Sequence, residues 1–168
     1  MLQRYIRVYS LAVWAFFAGC RHEPPPLSND LKMSDPSAER QLIAGFHGLE
    51  QHAWRWTARR FAVVLIPPAG STRFGATLRL QLFIPAPLIQ RLGPMTLSAD
   101  ADEVSLDPET FTKSGKFSYV RHVPATAFRR AVLPVVFSFD KAVEPGQVDG
   151  RELSAVVTEV ALEPENRN

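Results

Sequence analysis

Cysteine is almost missing from this chain: among 168 residues there is one, Cys20. An internal disulfide is therefore excluded, and a free thiol on a secreted surface would be a liability. Excess charge is missing too. Lysine and arginine number 19 against 17 acids, and residues 1–19 carry Arg4 and Arg7 but no acid, so the remainder holds 17 of each sign. A neutral chain lacks the electrostatic basis for binding nucleic acid. Catalytic motifs are absent as well: there is no G-x-S-x-G elbow, no H-E-x-x-H and no G-x-x-x-x-G-K. With 17 acids some carboxylate pair is inevitable, but none is singled out for glycoside chemistry. No catalytic residue is nominated, and the expectation is that the protein is not an enzyme.

Metal-ligand spacing is lacking in turn. His47 and His52 stand five residues apart, which suits neither one helix face nor one strand face, and His22 and His122 are isolated. Asp100, Asp102, Asp107 and Glu109 supply hard oxygens, yet Val104 and Ser105 stand where an EF-hand needs a ligand and a glycine. That run reads as a solvated loop, and neither metal nor cofactor is expected.

What is present begins at the N-terminus. Arg4 and Arg7 precede an apolar stretch from Val8 to Ala18 that closes on the small residues Ala18 and Gly19. This is the layout of a secretory signal, too short to span a bilayer stably. Its end, "FAGC", resembles the lipobox of bacterial lipoproteins, where a peptidase cuts before a cysteine that then carries lipid; Phe17 stands where leucine is usual. The resemblance implies a signal peptide at 1–19, lipid on Cys20, the membrane as partner through that lipid, and the cell envelope as location, the outer membrane ahead of the inner. An ordinary signal with a neighbouring cysteine, or an uncleaved anchor, is the alternative.

Residues 20–43 include Pro24, Pro25, Pro26 and Pro36 among many polar residues. The composition predicts a lipid-anchored flexible tether that cannot bury enough apolar area to fold. From Ala44 the pattern changes. "RFAVVLIPP" reads as a strand buried on both faces, "ATLRLQLFIP" alternates with Leu78, Leu80, Leu82 and Ile84 on one side, and "RAVLPVVFSFD" places Leu133, Val135, Phe137 and Phe139 together. Pro134 predicts an edge position or a bulge for that last strand. "ELSAVVTEVALE" reads as a central strand by its β-branched content. Only "PAPLIQRLG" is weakly helical. The expected fold is all-β, an antiparallel sandwich over 44–163 with a tail at 164–168, in one domain.

In "HAWRWT", an extended backbone over 52–57 would put His52, Trp54 and Trp56 on one face and Arg55 and Thr57 on the other. Adjacent indoles serve either as a flat surface for a sugar ring or as large wedges closing one end of the core. Trp56, nearer the apolar run from Phe61, is the better core candidate, and Trp54 the better ligand candidate. Arg55, if covered, needs a carboxylate or carbonyl partner.

"GFHGLEQHAWRWTARRFAVVLI" with "PGQVDGRELSAVVTEVALE" resembles a bacterial domain found alone or at the ends of glycan-related envelope proteins. The residues that carry the likeness are Gly45, Phe46, Glu50, Trp54, Arg55 and Trp56, then Asp149, Arg151, Glu152 and Leu153. The resemblance implies a jelly-roll of the galactose-binding-like sort in which the two motifs meet where the first and last strands pair. Glu50 and Arg151 are then either a bidentate clamp or, with Trp54 and Trp56, polar ligands in a binding site. The function expected is a non-catalytic, glycan-associated lipoprotein with a carbohydrate-binding-like sandwich; the alternative is a structural or assembly lipoprotein that docks another envelope protein.

Overall fold

The computed structural model describes residues 26–165, and it is built from nine strands and short helical turns. The strands are β1 (Asp30–Lys32), β2 (Leu42–Glu50), β3 (Trp54–Leu65), β4 (Ala76–Ile84), β5 (Met95–Ala101), β6 (Val104–Phe111), β7 (Gly115–Val123), β8 (Leu133–Phe139) and β9 (Ala155–Pro164). Helices α1 (Ser71–Phe74) and α2 (Ala86–Leu92) are short, as are 3-10 turns at Pro36–Gln41 and Ala125–Ala127. Every strand pair is antiparallel, and the order is β6-β5-β8-β3-β9-β4-β7. The two ends of that order return to each other. The Tyr119 hydroxyl of β7 donates to the Asp107 carbonyl of β6 (2.9 Å), and Arg121 Nε donates to the same oxygen (2.7 Å). The result is a barrel-like antiparallel sandwich.

Strict alternation explains the core. Leu78, Leu80, Leu82 and Ile84 of β4 and Leu133, Val135, Phe137 and Phe139 of β8 all point inward and are buried. Phe61 stacks on its cross-strand neighbour Phe137 with centroids 5.0 Å apart, and Phe46 of the paired β2 meets Phe61 edge-on at 5.3 Å. Strand β3 joins the two layers. Its first residues, Arg55 to Thr57, pair with β9, whereas Arg60 to Leu65 pair with β8, so the strand leaves one sheet for the other midway. Strand β2 follows β3 through three register shifts. At one of them Gly45 has φ +74°, and a Cβ there would collide with the Arg60 carbonyl, so glycine is required for this approach.

Three expectations need correction. Residues 28–43 are not a tether but part of the domain: Leu31 is 1% exposed and Met33 0%. Strand β1 lies along β9 at Glu159 to Ala161, beside the stretch paired with β3, and fills the edge that β3 vacates. Gln41, also buried, accepts from Ser28 N (2.7 Å) and donates to Ser28 O (2.8 Å) and Val64 O (2.7 Å). The polar composition masked a three-residue alternation whose strand partners lie 127 to 131 residues away in sequence. Second, β8 is neither an edge strand nor bulged. It runs between β5 and β3, and Pro134 is tolerated because it sits beyond the last β5 pair, Ala101 with Val135, where its carbonyl accepts from Asp102 N (2.8 Å). Third, His52 is not extended. Gln51 (φ 48°) and His52 (φ 55°) are the central residues of a tight turn closed by Ala53 N to Glu50 O (3.0 Å), which carries the chain from β2 into β3. Cys20 and the signal-like segment lie outside the described residues.

Candidate functional site

The outer face of one sheet carries a groove of about 530 Å³. Its geometry follows from register. Trp56 of β3 lies opposite Val156 of β9, Val156 opposite Phe83 of β4, and Phe83 opposite Lys116 of β7. Directly opposed residues in a sheet project from the same face, so these four form one row across four strands. Trp54, two residues from Trp56, adds a second indole on that face, and Glu50 of β2 stands opposite it. Pro85, just before α2, and Thr158 complete the lining. The groove thus has an apolar floor at Val156, aromatic walls, one hydroxyl, and one charge of each sign.

Both tryptophans are half-buried, and Phe83 is 37% exposed. Trp56 packs in part against the core, whereas Trp54 does not. Neither indole joins the ring–ring contacts among the described residues; those belong to the phenylalanines and Tyr119 of the interior. The indoles therefore face the groove with their apolar surface available, and Trp56 serves the core as well.

Behind them, on the opposite face of β3, Arg55 and Thr57 are buried. Arg55 Nη1 donates to the His47 carbonyl (3.2 Å) and Nη2 to Glu39 (3.1 Å), so the covered guanidinium has both kinds of partner. The Thr57 hydroxyl meets that of Ser154 at 2.9 Å, and Ser154 Oγ donates to Ala58 O (2.7 Å). This polar layer locks β3 to β2 and β9 and so fixes the strand that presents the tryptophans.

Glu50 and Arg151, 101 residues apart, meet at 2.7 Å through Arg151 Nη1. The two-pronged grip falls elsewhere: Arg151 Nε and Nη2 both donate to Asp149 Oδ2 (3.1 and 2.7 Å), and Arg151 N donates to Asp149 Oδ1 (2.8 Å). Hydrogen bonds from the side chain and the backbone of Arg151 hold Asp149 below the usual carboxylate range. Asp149 first and Glu50 second push the Arg151 pKa above its ordinary value. Glu50 lines the groove and Arg151 does not, so the ion pair meets the groove at its carboxylate end.

Phe83, Lys116, Val156 and Thr158 were not nominated from the sequence. Phe83 carried a signal, since in "ATLRLQLFIP" it falls on the outward register opposite the buried leucines, where a phenylalanine has no core to fill. Lys116 carried none, because its place in the row is set by pairing with β4 alone. No cluster of metal-ligating side chains is found among the described residues, and none of their helices is long and apolar enough to cross a membrane.

The fold and groove define an antiparallel β-sandwich with an aromatic cleft across one sheet. Among solved structures the chain is similar to a ruminal GH26 endo-β-1,4-mannanase, with 8% identity, a TM-score of 0.42, and coverage of 87% of this chain but 28% of the mannanase chain. It is also similar to a CBM4 structure, with 10% identity, a TM-score of 0.36, and coverage of 74% of this chain and 77% of that one. No known protein family and no curated protein matches the sequence.

Proposed function

We propose that the groove binds glycan and that the protein is a non-catalytic module displayed on the cell envelope by lipid on Cys20. The observation that supports the reading is the face formed by Trp54, Trp56 and Phe83, three partly exposed aromatic side chains around one cleft that no other part of the described chain covers. A sugar ring offers C–H faces for such surfaces and hydroxyls for polar groups at their edge, here Glu50 and Thr158. Most glycoside hydrolases flank the scissile bond with two carboxylates. The lining has one, Glu50, and Arg151 already engages it. A non-catalytic role accords with that.

The test is retention on a glycan array with variants at the two indoles. Trp54→Ala is expected to abolish retention with melting nearly unchanged, and Trp56→Ala to abolish retention while also lowering stability, because only Trp56 packs on the core. Wild-type protein that retains no glycan would overturn the reading and leave the groove to a protein partner. For the anchor, Cys20→Ser should eliminate incorporation of labelled palmitate in cells; undiminished labelling would refute lipidation at this residue.

A further inference from the structure

The two charges of the groove are not equivalent. Glu50 is neutralised by Arg151 at 2.7 Å, and Arg151 is shared with Asp149, so three groups at the β2 end sum to one negative charge. Lys116, at the β7 end, is exposed and has no ion-pair partner among the described residues. Its neighbours in the groove are Phe83 and Pro85, which offer no carboxylate and reduce the water around an ion pair formed there. From β2 to β7 the cleft crosses four interstrand steps, roughly 19 Å at about 4.8 Å each, enough for several linked sugars.

We infer that the groove selects acidic glycans: it seats a sugar-borne carboxylate or sulfate on Lys116 at the β7 end, stacks sugar faces on Phe83, Trp56 and Trp54, and directs neutral hydroxyls to Glu50. The inference deepens the glycan-binding proposal and rests on it. Polarity gives the ligand one orientation, since an anionic substituent at the β2 end would meet the uncompensated charge of the Glu50, Asp149 and Arg151 group. A lysine presents a compact ammonium with three donors rather than a planar fork, so it accepts either kind of anion, and the ring position of the substituent is set by the aromatic contacts.

The experiment uses an array of paired oligosaccharides, each uronate-containing chain spotted beside its carboxyl-reduced counterpart and each sulfated chain beside its desulfated one. Affinities of the hits are then measured by calorimetry for wild type and for Lys116→Gln. Acidic members are expected to bind about two- to fivefold more tightly than their neutral partners, the range that an ion pair at an exposed lysine contributes. Lys116→Gln should remove that preference by lowering affinity for the acidic member more than for its neutral partner, and added salt should narrow the preference in wild type only. Equal binding of acidic and neutral partners, or a preference that survives Lys116→Gln, would overturn the inference and leave glycan binding standing. Binding to neither set would overturn both.

Discussion

Leu31 and Met33 provide the sharpest test of where the domain begins. If residues 28–34 belonged to a solvated tether, truncating either side chain would cost nothing. In the structure both are sealed into the core, at 1% and 0% exposure, with exposed Asp30 and Lys32 flanking Leu31. Removing a buried leucine or methionine side chain to the β-carbon forfeits its transfer free energy and leaves a cavity, together about 2–5 kcal/mol. Their burial places Leu31→Ala and Met33→Ala toward the middle of that range. Because both lie in one cluster, the double variant should deviate from the sum of the singles. Against a total margin of about 5–15 kcal/mol, either single variant remains folded with a visibly lower urea midpoint. Deleting residues 26–34 removes more: the hydrogen bonds from Met33 N to Thr158 O (2.9 Å), from Leu162 N to Asn29 O (2.7 Å) and from Ile66 N to Ser28 O (3.1 Å), both partners of Gln41 at Ser28, and the cover over the β9 edge. That protein should aggregate or fail to fold. Urea denaturation followed by tryptophan emission reads all of these, with Lys32→Ala as an exposed control expected within about 0.5 kcal/mol of wild type. Losses for Leu31→Ala and Met33→Ala no larger than the control would refute the reasoning and restore the tether.

Tyr119 should ionise late. Burial pushes its phenol up to about 12, partly offset by Arg121 beside it, and the Tyr119→Phe difference in ultraviolet pH titration should isolate that step. Since the folded phenol binds its proton more tightly than the unfolded one, its contribution is complete below pH 10 and declines from about pH 10 to 12, with a slope of at most about 1.4 kcal/mol per pH unit; a Tyr119 step near 10 would contradict it. Glu50→Gln should change stability by less than about 1 kcal/mol, because the pair with Arg151 is more than a third exposed on each side, and urea midpoints will show this.

The sequence alone was enough to determine that this chain makes an antiparallel sandwich, because period-two alternation is a local property. The inward sets of β4 and β8 are spelled out residue by residue, and the β-branched run of β9 marked a central strand. It also put Trp54 and Trp56 on one face of β3, since neighbours two apart on a strand share a face. What it could not determine depends on partners distant in the chain. Pro134 looked like an edge residue because nothing local says that β5 ends one residue short of it. The Leu31 segment looked like linker because its structure is supplied by β9, and a polar stretch gains order when a vacated sheet edge satisfies its backbone. The groove is the clearest case. Trp56, Val156, Phe83 and Lys116 come from four strands spread over 101 residues, and only the register of β3, β9, β4 and β7 brings a lysine and a phenylalanine beside two indoles. Register is decided by which hydrophobic faces bury together across the whole sheet, so the tertiary structure alone could assemble the site.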